Sequence, residues 1–433
     1  MFRSSHAAVA TRRPRPAVWA TTLLALLLIG ALPGIAGAQS GIISTVAGTG
    51  AYEASGDGGP ATAAGIHPPY GLALDAEGNL YIAAYGAHRI RKISAATGII
   101  TTVAGTGEVG ASGDGGLATL AQLNAPVGVA IGPDGDLYIS EVEGARVRRV
   151  DGATGIITTV AGTGVKGYNG DGIAATAAQL HSPWGVAVDG SGHLYIADNA
   201  SHRIRKVDAA SGLISTYAGD GVYSYYGDGG LATAAAIRHP LGIGLDATGN
   251  LYVADYGNSR IRTVTAATGI ISTVAGNGSA GFAGDGGPAT AASFSYPYDV
   301  QVDLAGNLYI ADAQNYRIRY VSAATGLIST VAGSGVQGYS GDGALATAAA
   351  LDTPIGIAVG PADGFYISDY GNLRIRRVDG RALPVITWAD PAGIVYGTAL
   401  SATHLNATAD VAGTFVYDPA AGTVLNAGMG QTL

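Results

Sequence analysis

A 57-residue internal repeat constrains the fold of this chain more than any other feature of its sequence. A Gly-Asp-Gly triplet, a tyrosine and an arginine each recur six times at this step, without insertion or deletion. The three series are Asp57, Asp114, Asp171, Asp228, Asp285, Asp342; Tyr81, Tyr138, Tyr195, Tyr252, Tyr309, Tyr366; and Arg89, Arg146, Arg203, Arg260, Arg317, Arg374. Three series in one register indicate six copies of one structural unit.

Each unit is predicted to contain four short strands. In the fourth unit they are residues 241–246, 251–255, 260–264 and 270–275, which carry alternating apolar and β-branched residues between glycine and asparagine turns. Four antiparallel strands cannot bury both faces of their sheet, so the units must stack on one another. Radial stacking of such units gives a β-propeller.

The N-terminal strand is predicted to close the ring. Residues 42–47 match the fourth strand of a unit but precede the first complete unit, and no matching segment follows the third strand of the sixth unit. The sequence therefore predicts an all-β, six-bladed propeller over residues 39–382, in which this strand completes the last blade and removes an exposed edge.

The N-terminal residues resemble an export signal. Arginines and an apolar run precede Ala36-Gly37-Ala38, which predicts a signal peptide over residues 1–38. An uncleaved membrane anchor is the alternative, for which the apolar run is short. Cleavage predicts a secreted, extracellular or envelope protein with no membrane insertion.

Composition limits the partners and the chemistry. Removing residues 1–38 takes four of the 23 lysines and arginines, which leaves 19 basic side chains against 31 acidic ones. Such an acidic surface repels phosphate backbones, so no nucleic-acid partner is expected. The chain has no cysteine, which excludes disulfide bonds and thiolate metal sites.

The repeat resembles a known family. Residues 251–255 (Leu-Tyr-Val-Ala-Asp) followed by residues 260–262 (Arg-Ile-Arg) are similar to the signature of NHL repeats, and the likeness extends over all six units. The loop at residues 284–292 resembles that of bacterial secreted NHL proteins and of the teneurin NHL domain. The resemblance implies a binding platform, although a minority of related six-bladed propellers are metal-dependent lyases or lactonases.

The C-terminal residues depart from the repeat. Residues 383–433, with Tyr-Gly-Thr-Ala-Leu at 396–400 and Gly-Thr-Phe-Val-Tyr at 413–417, resemble a partial bacterial immunoglobulin-like repeat. They are too few for a complete sandwich.

Residues that recur in every unit are interpreted as scaffold. The Gly-Asp-Gly aspartates are predicted to be loop and helix-capping residues, with a calcium site at each loop as the alternative. The acid that ends the second strand is predicted to form either an ion pair with the recurring arginine five residues later or a hydrogen bond within the turn. Ala84 interrupts this acid series in the first unit and is expected to leave Arg89 without that partner.

Residues that vary between units are the candidate ligand site. The position after the proline at the start of the innermost strand is aromatic in blades one, three and five, and the position three residues earlier is polar and mixed. Blade five also carries an acid and an amide where the other blades have glycine or alanine. The predicted ligand-binding residues are Tyr70, Trp184, Tyr298, His181, Arg238, Asp299 and Gln301. Aromatic platforms with scattered polar groups suit sugars and peptides, and gap-filling between blades is the alternative role.

These features predict a secreted or surface-displayed, monomeric, non-enzymatic recognition module for a glycan, peptide or protein. No catalytic residue, metal ligand or cofactor is assigned. One alternative is a metal-dependent lyase or hydrolase with a cation in the channel, held by Asp299, Asp352 or the histidines. The other is a structural spacer in a longer surface protein.

Overall fold

The repeat folds into six four-stranded antiparallel blades arranged in a ring. The structure is a computed structural model that describes residues 41–360, 364–380, 386–387 and 408–409. The chain divides into two units, and the propeller accounts for the one that spans residues 36–383. The predicted fold class is confirmed.

The strands follow the repeat. The innermost strands are Pro69–Leu74, Pro126–Ile131, Pro183–Val188, Pro240–Leu245, Pro297–Val302 and Pro354–Val359. The second strands are Leu80–Ala84, Leu137–Glu141, Leu194–Asp198, Leu251–Asp255, Leu308–Asp312 and Phe365–Asp369. The third strands are Arg89–Ile93, Arg146–Val150, Arg203–Val207, Arg260–Val264, Arg317–Val321 and Arg374–Val378. The fourth strands are Ile100–Ala104, Ile157–Ala161, Leu213–Ala218, Ile271–Ala275, Ile328–Ala332 and, for the sixth blade, Ile43–Ala47.

The N-terminal strand closes the ring, as predicted. Ile43–Ala47 pairs antiparallel with Arg374–Val378, and Ile43 lies opposite Val378. The last blade therefore contains residues from both ends of the repeat region, which ties the two ends together and covers the edge of that sheet. Blade three carries a fifth, two-residue strand, Ile173–Ala174, on Leu213–Ala218.

The described helices are single 3₁₀ turns, and none of them is long or apolar enough to cross a membrane. One series lies in the long loops: Ala61–Ala63, Ala118–Leu120, Ala175–Ala177, Ala232–Ala234, Ala289–Ala291 and Ala346–Ala348. The other follows the second strands: Tyr85–Ala87, Asn199–Ser201, Tyr256–Asn258, Ala313–Asn315 and Tyr370–Asn372.

Apolar side chains fill the space between neighbouring blades. Between blades three and four, for example, Ile204 packs in one cluster with Ile243, Val253 and Ile271, and all four are buried. Comparable clusters lie at the other blade interfaces. Because each blade buries both faces against its neighbours, the ring as a whole is the unit that folds.

A buried arginine in each blade explains the Gly-Asp-Gly triplet. Arg262 has no exposed surface, and its Nη2 lies 2.7 Å from Oδ1 of Asp228. The same pair recurs in all blades, and the arginines are Arg91, Arg148, Arg205, Arg262, Arg319 and Arg376. The prediction that the aspartates cap helices is wrong, because no side chain caps the 3₁₀ turns that follow them. The aspartates instead neutralise a guanidinium that burial has removed from water.

The acid at the end of the second strand pairs with the same buried arginine. Oδ2 of Asp255 lies 3.4 Å from Nη1 of Arg262, whereas Arg260 donates to the carbonyl oxygens of Asn258 and Asn277. The predicted ion pair with the arginine five residues after the acid is therefore wrong; the true ionic partner is seven residues after it. The alternative, a hydrogen bond within the turn, is confirmed for Asp255, which accepts from Nδ2 of Asn258 at 2.9 Å. The side chain of Arg260 turns toward the loops, while that of Arg262 points into the blade.

Arg89, like Arg260, donates to a carbonyl oxygen of the following loop. Its Nη2 donates to the carbonyl oxygen of Thr106, so it is not left without a partner by the alanine in the acid series. Ala84 instead leaves the buried Arg91 without the second acidic partner that the corresponding arginines of the other blades have.

The predicted signal peptide lies outside the described residues. In the C-terminal segment, Ile386–Thr387 and Thr408–Ala409 pair antiparallel, and the rest of the segment is likewise outside the described part of the chain. Its immunoglobulin-like character stays a prediction.

Candidate functional site

The innermost strands approach one another closely around the central channel, and glycines permit this. A Cβ at Gly128 would lie 2.2 Å from the carbonyl oxygen of Trp184, and one at Gly356 would lie 2.3 Å from that of Tyr70. Each glycine directly follows the variable position after the proline. That position is therefore held at the mouth of the channel by backbone contacts between blades.

Three aromatic side chains from alternate blades meet at this mouth. The ring centroids of Tyr70 and Trp184 are 5.6 Å apart, and those of Trp184 and Tyr298 are 6.2 Å apart. These distances are typical of interacting aromatic pairs. The structure thus brings together three of the predicted ligand-binding residues, which are far apart in the sequence.

A second set of tyrosines surrounds these three. Tyr370 lies 5.2 Å from Tyr70, Tyr85 lies 4.8 Å from Tyr70, and Tyr256 lies 5.2 Å from Tyr298, measured between ring centroids. Each begins the 3₁₀ turn after a second strand. The sequence analysis did not single them out, although they carry the same signal: a tyrosine in three blades and a different residue in the other three. Together the six rings form what we call the aromatic mouth: Tyr70, Tyr85, Trp184, Tyr256, Tyr298 and Tyr370.

The aromatic mouth borders a cavity along the propeller axis. Tyr70, Trp184, Tyr298, Asp299 and Gln301 all line it, together with glycines and aliphatic residues of the innermost strands. Its volume is about 50 Å³, which is room for a few water molecules or a small group. A larger ligand would therefore lie against the accessible faces of the aromatic rings, outside the cavity.

The hydroxyls of Tyr70 and Tyr298 are hydrogen-bond donors at neutral pH. Burial raises the pKa of Tyr298 to about 12, and burial together with the neighbouring Tyr370 raises the pKa of Tyr70 above its usual range. Both hydroxyls therefore keep their protons. The mouth offers aromatic faces and phenolic donors, which is the combination that polar, ring-shaped ligands require.

Asp299 and Gln301 lie in the wall of the channel. Asp299 is 8% exposed and accepts hydrogen bonds from the backbone N–H of Ile357, at 2.9 Å, and from Nε2 of Gln301, at 3.1 Å. Burial raises the pKa of this carboxyl to about 6. Asp299 occupies the place of the close-approach glycine of the other blades and bridges blade five to blade six.

His181 and Arg238 lie elsewhere. Neither lines the cavity. The guanidinium carbon of Arg238 lies 4.0 Å from the ring centroid of Tyr223, and its neighbour His239 contacts His202. His181 is electrostatically coupled to this same His202. The predicted site residues are therefore divided: five line the channel, Arg238 lies at the joint between blades three and four, and His181 lies against the turn of its own blade, where its backbone N–H donates to Asp198.

Within the described residues, no three histidine, aspartate or glutamate side chains lie close enough to hold a metal ion together. Asp299 is the one carboxylate among the described residues that line the cavity. The chemistry that the described part of the channel offers is accordingly aromatic contact and hydrogen bonding.

Comparisons with known proteins agree with the repeat and the fold. A family model described as NHL repeat matches residues 180–207 and 238–263, in blades three and four. The chain is 27% identical over 293 residues to NHL repeat-containing protein 2 of Bos taurus, a match that covers 61% of this chain and 40% of that protein. It is 31% identical over 235 residues to Teneurin-1 of Mus musculus, covering 48% of this chain and 8% of that protein.

The chain thus spans less than half of the length of these curated relatives. Among solved structures, it is similar to an auxiliary nutrient binding protein from Bacteroides thetaiotaomicron, with a TM-score of 0.55 and 17% identity over 78% of this chain and 76% of the other. At that identity the likeness concerns the fold alone. The chain is a six-bladed β-propeller with NHL repeats in blades three and four, and it is similar to NHL repeat-containing proteins and to teneurins.

Proposed function

We propose that this propeller is a secreted or surface-displayed, non-enzymatic recognition module that holds a glycan, a peptide or a segment of a protein at the aromatic mouth. The observation that carries the proposal is the convergence of Tyr70, Trp184 and Tyr298, from three alternate blades, over one cavity.

The exposure of these side chains supports a binding role over a gap-filling one. At the same position, the aliphatic residues of the other three blades are buried: Val127 is 2% exposed, Leu241 4% and Ile355 6%. The three aromatic side chains are larger and keep part of their surface accessible to solvent. An aromatic residue whose only role was to fill the joint between blades would be buried as its aliphatic counterparts are.

The fold supports the proposed binding role, and the N-terminal sequence supports the proposed location. The printed description of the Bacteroides protein with this fold is of a nutrient-binding protein, which is consistent with a binding role for a propeller of this kind. The proposed location rests on the export pattern of residues 1–38. A monomer is proposed as well, because the ring buries its own sheet edges.

Alanine at both Trp184 and Tyr298 tests the proposal. Glycan and peptide arrays probed with the full chain identify ligands, and titration calorimetry then compares the wild type with the double variant. We expect a loss of affinity of at least about 100-fold, since stacked aromatic anchors dominate binding sites of this kind. Unchanged affinity would contradict the assignment of the site.

The matched control is Phe282→Ala. Phe282 is an exposed aromatic residue of a long loop, outside the cavity, where it covers the guanidinium of Arg317 at 3.9 Å. This variant should bind ligand as the wild type does. If neither array identified a ligand, the result would favour the alternative that the propeller is a structural spacer in a longer surface protein.

A further inference from the structure

A second cluster of polar rings lies away from the aromatic mouth, at the joint between blades three and four. The ring centroids of His202 and His239 are 4.7 Å apart, and Tyr223 lies 5.2 Å from the first and 5.3 Å from the second. Arg238 stacks over Tyr223 at 4.0 Å, and its Nη2 donates to the Tyr223 hydroxyl. We call these four side chains, with Asn199, the basic cleft.

The basic cleft occurs once in the described ring, although the backbone that carries it recurs. His202 follows a 3₁₀ turn and His239 precedes the next innermost strand, and both have a positive φ, of 54° and 50°. At the five other joints the two positions hold other residues: His88 and Ala125, Ala145 and Ser182, Ser259 and Tyr296, Tyr316 and Thr353, and Leu373 and Pro68. The repeat therefore supplies the geometry, and only this joint places two imidazoles and a guanidinium on it.

The hydrogen bonds of the cleft leave donors available. The backbone N–H of His239 donates to Nδ1 of His202 at 3.3 Å, so the remaining proton of a neutral His202 lies on Nε2. Nδ1 of His239 lies 3.3 Å from Oδ1 of Asn199, where it donates, and its Nε2 becomes a donor on protonation. Within the described residues, neither Nε2 has a hydrogen-bond partner, and the buried Nε of Arg238 has none either.

Positive charge in the cleft is not balanced by a free carboxylate. The charges of Arg203, Arg238 and His181, as well as that of His239, act on His202. Burial and these neighbours lower the pKa of His202, and burial and Arg238 lower the pKa of His239.

The nearby carboxylates are engaged elsewhere. Both oxygens of Asp220 accept hydrogen bonds, from the Val222 N–H and from the Tyr226 hydroxyl. Asp255 accepts the backbone N–H of Arg238 and is paired with the buried Arg262. A concentration of donors and cations in an otherwise acidic protein is a site for an anion.

We infer that the basic cleft binds an anionic group, a carboxylate or a sulfate-type oxyanion, carried by a ligand whose ring or chain packs against the exposed face of Tyr223. Tyr223 is 53% exposed, so it offers that face. The inference concerns a second site and does not depend on the aromatic mouth. The anion has two candidate sources, a uronic acid and a sulfated sugar. Both are negatively charged, but a carboxylate is planar and a sulfate group is tetrahedral.

Titration calorimetry of the full chain with three probes tests this inference. The probes are sulfate, glucuronate and glucose, at about pH 5.5 and about pH 7.5; the first two keep their charge over this range. We expect glucuronate or sulfate to bind about tenfold more tightly at the lower pH, where the imidazoles gain protons, and glucose not to bind. The tighter of the two anions identifies the source. Absence of binding by both anions at the lower pH, or equal binding of glucose, would overturn the inference.

Single substitutions locate the site. Arg238→Gln and His202→Asn should each weaken anion binding by about tenfold, because each removes a charge-assisted donor. The matched control is His88→Asn: His88 has the same positive φ, and its Nδ1 also accepts a backbone N–H, from Ala125, but Ala125 stands where the cleft has His239. Equal losses in the variant and the control would overturn the assignment.

The Trp184→Ala, Tyr298→Ala double variant separates the two proposals. It should bind the anion as the wild type does, even where it no longer binds the ligand of the mouth. Loss of anion binding in this variant would show that the basic cleft is not an independent site.

Discussion

Arg91 and Asp57 form an ion pair in which a buried guanidinium depends on one carboxylate. Arg91 is 1% exposed, and its Nη2 lies 2.7 Å from Oδ1 of Asp57. In every other blade the corresponding arginine lies within 4 Å of a second acid, at the end of the second strand. In blade one that place is taken by Ala84, and among the described residues Arg91 has no other acidic partner. Burial lowers the pKa of Arg91, as expected of a guanidinium that is paired once.

Asp57→Ala should therefore destabilise the propeller more than the same change in another blade. We expect the free energy of unfolding to fall by about 3 kcal/mol for Asp57→Ala and by about 1 kcal/mol for Asp171→Ala, because only the first leaves a buried charge unpaired. The two are matched, since each aspartate also accepts one threonine hydroxyl, from Thr102 and Thr216. Urea unfolding followed by tryptophan fluorescence measures the difference, and equal losses would contradict this account of Arg91.

The stability of the fold should depend on pH through Asp299. Its pKa is about 6 in the folded protein, where it is buried, and near 4 in an unfolded chain. The folded state therefore holds this proton more tightly, and the stability that the neutral carboxyl contributes is present at about pH 4 and lost as the pH rises to about 6. The loss is on the order of 3 kcal/mol.

Asn at position 299 carries no charge, so the melting temperature of the Asp299→Asn variant should rise relative to that of the wild type between pH 4 and pH 6. Melting curves at several pH values check this. A difference that stays constant over the range would show that Asp299 does not titrate in this way.

Gly128→Ala should disrupt the ring of innermost strands. An added Cβ would lie 2.2 Å from the carbonyl oxygen of Trp184 and 2.6 Å from the hydroxyl of Ser140, so the strands of blades two and three must move apart. We expect a loss of about 3 kcal/mol and weaker ligand binding, because Trp184 moves as well. Gly190→Ala is the control, since no heavy atom lies within 4 Å of its Cβ. Similar melting temperatures for the two variants would contradict the close contact.

Removal of divalent metal should leave both stability and binding unchanged. The described residues contain no group of three side chains that could hold a metal ion. Metal analysis of the purified full chain, with melting and ligand titration before and after EDTA, checks this. One ion per chain, whose removal abolishes activity or binding but not the fold, would favour the lyase or hydrolase alternative.

The sequence predicted the strands well because each strand depends on local pattern. In blade four the predicted second and third strands, 251–255 and 260–264, coincide with the observed ones, and the predicted first and fourth differ by one residue. Alternation and turn residues determine such elements over a few positions. Closure by residues 43–47 could be predicted as well, because the displaced fourth strand leaves a visible gap in the repeat.

The sequence did not predict the ionic partners of the recurring acids correctly. Local spacing predicts a helix cap for Asp228 and an arginine five residues away for Asp255, whereas both carboxylates pair with Arg262. Strand pairing places Arg260 opposite Asp255, and spacing alone favours that pair. Arg260 and Arg262 lie on the same face of their strand, but Arg260 donates to the carbonyl oxygens of Asn258 and Asn277, and the buried Arg262 pairs with both acids.

The sequence by itself determined the number of blades, the strands within each blade and the closure of the ring, because all of these follow from a repeated local pattern. Only the tertiary structure decided which variable residues share a site. Tyr70, Trp184 and Tyr298 meet because alternate blades point to one axis, while Arg238, His202 and His239 meet at a single blade joint. Proximity across a ring depends on the radial packing of blades, and the repeat specifies this packing without revealing in the sequence which side chains it brings together.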